Sequence, residues 1–164
     1  MMENTYHVGM ADIVTVSSPA KLITLGLGSC IGLIIYDEIA KIASMAHIML
    51  PDSRGIKEHE KPGKFVNLAI PFLIDELLKK NAKKERLKAK FAGGAQMFTN
   101  SIGGGTEFLA VGTKNVAETT DLLNKCKIKI IASDTGGNKG RTVEFNTVTW
   151  MLSVKLLGKG IVMI

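Results

Sequence analysis

Cysteine is scarce: Cys30 and Cys126 are the two thiols in 164 residues. Neither sits in a C-x-x-C pair, so the sequence supports neither a disulfide framework nor structural zinc, and a reduced compartment fits best. Aromatic residues make up 5% of the chain, and none lies in its most basic stretch. That removes the stacking platform on which a single-strand nucleic-acid binder depends. Lys and Arg are absent before Lys21. The opening MMENTYHVGMADIV also lacks the apolar centre of a secretory leader, so a cytoplasmic location is expected. Runs of apolar residues such as 33–36 and 68–74 are far too short for the roughly 20 residues of a bilayer span, and no membrane insertion is expected.

Hydrophobic residues at 46% and charged residues at 22% are ordinary values for a globular chain with a real core. No repeat, low-complexity tract or linker divides it, so residues 1–164 are expected to form one domain. The formal charge of +6 is concentrated in KKNAKKERLKAK, residues 79–90, which hold seven basic residues and one acid, Glu85. The remaining basic and acidic residues balance. This pattern argues against nucleic acid and for a solvated face, or for an electrostatic guide toward acidic partners through Lys83 and Lys84.

The first third reads as strands. Segments 8–16 and 21–27 are separated by Ser17-Ser18-Pro19, and 31–36 and 41–50 flank Asp37-Glu38 as a hairpin. A charged loop, PDSRGIKEHEKPG, follows. Apolar residues at helical spacing over 63–81 predict a helix, with Pro71 expected to kink or restart it. Strands are expected at 87–92, 106–111 and 127–132, and a helix at 115–126. Two further strands are expected within 142–157, with Val143, Phe145 and Val148 facing inward. The class is α+β with mixed sheets, since the elements do not alternate as in a doubly wound fold.

The segment TLGLGSCIG, residues 24–32, superficially suggests a dinucleotide fingerprint. Ile31 stands where the third glycine is needed, however, and a β-rich run follows in place of a helix. Glycines flanking a cysteine instead leave the backbone open to close approach. Pairing of the hairpin about the Glu38–Ile39 bond would place Cys30 opposite His47, within reach of a thiol–imidazole interaction. The alternative for His47 is a core histidine in IASMAHIML, bonded to a nearby carbonyl. His7 and His59 read as solvated, and Cys126 as packing. A Cys–His pair supports nucleophilic attack on an acyl carbon. The histidine moves the proton, and backbone N–H groups beside the cysteine, at Gly28 and Ser29, receive the oxyanion.

The blocks TLGLGSC, AHIMLPDS, KPGKF, AGGAQMF and DTGGNKGRTVEFN, in this order, resemble the CheD family, chemoreceptor glutamine deamidases of bacterial and archaeal chemotaxis. The likeness runs from about residue 8 to about 157. It implies Cys30 as nucleophile, His47 as its partner and Thr24 as the third member of the triad. It also implies hydrolysis of selected glutamine side chains on methyl-accepting chemotaxis proteins, with no metal or organic cofactor. In some lineages it implies binding to the phosphatase CheC. The implied fold is a mixed β-sandwich with helices packed on the outside, related to cytotoxic necrotizing factor deamidases. A non-catalytic adaptor that binds CheC or receptor is the alternative. Two features depart from the family pattern: Lys114 replaces an arginine before the second helix, and Gly103-Gly104-Gly105 lengthens a loop.

Overall fold

Apolar residues at nearly every position of 31–36 and 42–48 suit strands buried on both faces. The computed structural model describes residues 3–56, 61–97 and 110–164. It places these two strands, β4 (Ile31–Asp37) and β5 (Ile42–Ile48), inside a five-stranded sheet of order β2-β5-β4-β6-β7. Its other members are β2 (Ile13–Ser17), β6 (Lys88–Gly93) and β7 (Lys129–Thr135). A second five-stranded sheet runs β1-β3-β8-β9-β10, from β1 (Asn4–His7), β3 (Ala20–Leu27), β8 (Arg141–Asn146), β9 (Met151–Leu156) and β10 (Ile161–Met163). Each sheet is antiparallel except for one parallel pair at an edge, β1 with β3 and β6 with β7.

Alternation along β4 separates two cores. Ile31, Leu33 and Ile35 point to helix α1 (Val66–Lys79), where Val66, Ala69, Ile70, Leu73, Ile74 and Leu77 recur at helical spacing and are buried. Each buried Val, Leu or Ile among them contributes about 1.5–3 kcal/mol. Ile34 and Tyr36 point the other way, into a layer shared with Leu22, Val143, Phe145, Leu152 and Val154 of the second sheet. There Tyr36 lies 5.1 Å from Phe145 and stacks on Trp150 at 5.6 Å between ring centroids. A second helix, α2 (Val111–Lys125), packs beside α1. The result is the expected α+β fold, two packed mixed sheets with helices on one outer face.

Several local expectations are corrected. Pro71 does not restart the chain as a new helix, since α1 continues as one element on both sides of it. Pro71 lies on the exposed face, and its missing N–H removes one bond of the helix, that to the Asn67 carbonyl. Helix α2 begins at Val111, earlier than its apolar periodicity suggests, and occupies the end of the expected 106–111 strand; residues 106–109 lie outside the described set. Val148 is exposed, because Asn146 Oδ1 accepts the amides of Val148 and Thr149 and turns the chain there. The basic segment is not one solvated face. Arg86 bonds the buried Asp37 carboxylate, Lys88 pairs with Glu38, and Lys90 is buried with its ammonium on the carbonyls of Trp150 and Ile164. Lys80, Lys83 and Lys84 remain exposed.

Candidate active site

Thr24 is the last regular residue of β3 before a bulge at Leu25-Gly26, and it pairs with Val143 of β8. Bulges re-aim side chains and cluster beside functional sites. His47 lies near the end of β5, and its backbone is held on the far side by the turn after β1: Ala11 N–H donates to the His47 carbonyl and His47 N–H to that of Asp12. Both side chains are buried between the sheets, with the Thr24 hydroxyl 2.7 Å from His47 Nδ1. Gly32 stands directly opposite His47. A side chain there would press on Leu27 Cδ1 at 2.9 Å and on the methyl groups of Thr24 and Val143 at 3.2 Å, so glycine is what lets the two sheets meet at this point.

The hairpin register differs from the expected one. Ile31 faces Ile48 and Gly32 faces His47, so Cys30 precedes the strand and lies diagonal to His47. Asp37 sets this register: its Oδ1 accepts the amides of Ile39 and Ala40 and builds a four-residue turn, 38–41, closed by the Asp37–Ile42 pair. The shift is two residues, so Cys30 keeps the face of Gly32 and His47, and the half-buried thiol packs on the inter-sheet core. Diagonal neighbours lie about 7–8 Å apart, within reach of long side chains.

The tautomer of His47 follows from counting protons. Thr24 Oγ1–H donates to the Val8 carbonyl at 2.6 Å. A hydroxyl has one proton, so its contact with His47 must run from Nδ1–H into the hydroxyl oxygen. Nε2 therefore carries the lone pair. It is buried and has no hydrogen-bond partner among the described residues. Burial lowers the pKa of His47 below its usual value, partly opposed by the Asp12 charge, and burial raises that of the Cys30 thiol. A neutral thiol thus shares a face with a neutral imidazole whose free nitrogen is a proton acceptor.

The loop carrying Cys30 is tied down through its carbonyls. Gly28 O accepts from Ala95 N–H, Ser29 O from Asn115 Nδ2 and Cys30 O from Gly94 N–H, all at 2.9 Å. The amide N–H groups of Gly28, Ser29 and Cys30 have no acceptor among the described residues. Gly93 sits so close that a Cβ there would overlap the Cys30 carbonyl. Beyond Gly94 opens a hollow of about 420 Å³ lined by Gln96, Thr113, Gly136, Gly137 and Asn138. Buried Arg141 fixes its far wall by donating to Asp134, to the Gly93 carbonyl and to the Gly136 carbonyl.

The residues expected from sequence fall into two groups. Thr24 and His47 are joined by a hydrogen bond, and Cys30, with Gly28 and Ser29 before it, leads into β4 on the face of His47. His7 is exposed on β1 and Cys126 packs against the helix-side core, while His59 and Gly103–Gly105 lie outside the described residues. Asn115, Arg141 and the Val8 carbonyl are additions. The signal for Asn115 was a polar residue on the buried stripe Gly112, Asn115, Thr119, Leu123 of α2. Lys114, the departure from the family pattern, is exposed. Among the described residues no three His, Cys, Asp or Glu side chains are grouped as a metal site requires.

Fold and site define a class: two packed mixed sheets with a half-buried thiol after a glycine-rich turn, and an imidazole on one sheet hydrogen-bonded to a threonine on the other. The family model described as "CheD chemotactic sensory transduction" matches residues 49–156. The "Probable chemoreceptor glutamine deamidase CheD" of Caldanaerobacter subterraneus subsp. tengcongensis is 45% identical over 161 residues, covering 98% of each chain. That of Clostridium botulinum is 46% identical over 162 residues, covering 98% of this chain and 99% of the relative. The "Chemoreceptor glutamine deamidase CheD" of Halalkalibacterium halodurans is 42% identical over 160 residues, covering 97% and 98%. A crystal structure of a Neisseria meningitidis protein matches with TM-score 0.49 at 7% identity, covering 82% of this chain and 64% of that one, less than two thirds. The chain belongs to the CheD family.

Proposed function

We propose that this protein is a chemoreceptor glutamine deamidase, a single domain that converts glutamine side chains of methyl-accepting chemotaxis proteins to glutamate. The names of its relatives support the substrate class, and the geometry supports the chemistry. In the proposed reaction His47 Nε2 takes the Cys30 proton as Sγ attacks the carboxamide carbon. The tetrahedral oxyanion is received by N–H groups of the 28–30 loop. The C–N bond then breaks, His47 returns the proton to the leaving nitrogen, and ammonia departs. Water, deprotonated by Nε2, hydrolyses the thioester to glutamate and restores the thiol. No cofactor enters these steps. Activity in the cytoplasm, and a partnership with the CheC phosphatase, belong to the same proposal. No helix among the described residues is long and apolar enough to cross a membrane.

The observation that carries the reading is the Thr24 hydroxyl, committed to Val8 and thereby leaving His47 Nε2 unprotonated on the face of Cys30. The test is ammonia release from a receptor cytoplasmic fragment. Wild type is expected to release it, while folded Cys30→Ala and His47→Ala proteins are expected to release none above background. Undiminished release by Cys30→Ala would overturn the thiol mechanism. No release by wild type, with binding to receptor or CheC intact, would favour a non-catalytic adaptor.

A further inference from the structure

We infer that Asn115 is a positioning residue that aims the oxyanion-binding amide of Cys30; the inference rests on the deamidase reading above. Asn115 lies in α2, an element that contributes neither the thiol nor the imidazole, and it is fully buried. Its side-chain Nδ2 spends both protons on the site: one on the Ser29 carbonyl at 2.9 Å, the other on the Met49 carbonyl at 3.0 Å. One amide thereby bridges the loop that carries Cys30 and the chain leaving β5 just after His47.

The Ser29 carbonyl belongs to the same planar peptide unit as the Cys30 N–H. In a trans peptide the two point in opposite directions, so a donor fixing the oxygen fixes the hydrogen as well. The neighbouring peptides are fixed by backbone amides, Gly28 O by Ala95 and Cys30 O by Gly94. The Ser29–Cys30 unit alone among these three depends on a side chain. A bonded carbonyl also polarises its peptide and makes the opposite N–H a better donor. The Cys30 N–H has no acceptor among the described residues, as expected of a donor reserved for charge that develops during reaction.

This seat is built at a cost. Asn115 Oδ1 is buried with no hydrogen-bond partner among the described residues, so an apolar residue would have avoided leaving a polar atom unpaired. The approach of α2 needs Gly112 as well, where a Cβ would overlap the Ala95 carbonyl.

Asn115→Ala separates this role from simple support. Iodoacetamide alkylation of Cys30 is a displacement that develops no oxyanion, whereas deamidation requires one. The expected result is a fall in kcat of about 10–100-fold, below the 10²–10³ for outright removal of a donor. KM should change less than about threefold and alkylation less than about twofold, with the acid limb of the pH profile unmoved. Undiminished kcat would overturn the inference, as would an equal fall in alkylation and kcat, which marks a collapsed loop. Asn115→Ser, which removes less volume, is the second variant; if neither folds, Asn115 serves the fold and the inference is wrong. Wild-type enzyme runs in parallel, and its failure to deamidate would defeat the underlying function and not this assignment.

Discussion

Replacing Thr24 by valine keeps the shape of the side chain and removes its oxygen. The Val8 carbonyl then loses its 2.6 Å donor and His47 Nδ1–H its 2.7 Å acceptor. Each buried group left unpaired costs roughly 1–3 kcal/mol, so stability should fall by about 2–6 kcal/mol. The effect on catalysis is separate. With no acceptor at Nδ1, nothing holds the proton there, and the tautomer with Nε2 protonated, which cannot accept from Cys30, gains population. Losing a bias of roughly 1–3 kcal/mol, about two neutral hydrogen bonds, leaves the two tautomers comparably populated, so kcat should fall by about 2–10-fold. Thr24→Ser keeps the oxygen and should retain most of the activity. The assay is deamidation of a receptor fragment, with nitrogen NMR of the imidazole read on the same proteins. Nδ1–H in wild type and its loss in Thr24→Val are expected. A valine variant that is folded and fully active would refute the tautomer reasoning.

Four other outcomes follow from the structure. Because burial depresses the His47 pKa, the neutral base persists below the ordinary 6.5, and kcat/KM should fall only when acid carries the pH below that value. Asp12→Asn, which removes the opposing charge, should move that limb lower still. Iodoacetamide should react slowly with Cys30 at neutral pH and faster through a midpoint above the usual cysteine value, since burial raises the thiol pKa; a fully reactive thiolate at pH 6 would contradict the neutral pair. Gly32→Ala should destabilise the protein by about 1–3 kcal/mol and lower kcat, as the new methyl meets Leu27 and Thr24; an unchanged melting temperature would show that the sheets can part freely. Asp37 is desolvated, yet its pKa is lowered by the Arg86 guanidinium and by the Ala40 and Lys83 amides. Its stabilisation is therefore full above the unfolded carboxylate pKa and lost as pH falls through the lower folded value. Arg86→Ala should cost about 1.5–3 kcal/mol at neutral pH and leave an acid midpoint at higher pH, measurable by chemical denaturation.

The sequence makes the central hairpin and its chemistry legible because β4 and β5 are nearly all apolar, so the glycine and histidine within them, and the cysteine just before β4, stand out. Their face was recoverable and their register was not. Asp37 uses its side chain to close a longer turn, and that choice depends on Arg86 and Lys83 arriving from residues some fifty positions away. Val148 is hidden for the same kind of reason, an Asn146 side chain turning the chain where composition suggests a strand. Strand β1 has four exposed residues and no alternation, so it forms only by parallel pairing with β3. Yet it delivers Val8, whose carbonyl sets the histidine tautomer. Thr24 came from family resemblance alone, since nothing local distinguishes it from a strand threonine. Asn115 and Arg141 were obscured because their partners are backbone carbonyls, which carry no sequence signature.

The most direct test of the central claim is intact-mass spectrometry of a receptor cytoplasmic fragment incubated with the protein in ¹⁸O-labelled water. Hydrolysis through a Cys30 thioester predicts a gain of about 3 Da per converted glutamine, against about 1 Da in ordinary water, because NH₂ is replaced by OH from solvent. The Cys30→Ala protein should produce no gain. An unchanged receptor mass with folded wild-type protein, or the same gain with Cys30→Ala, would contradict the account.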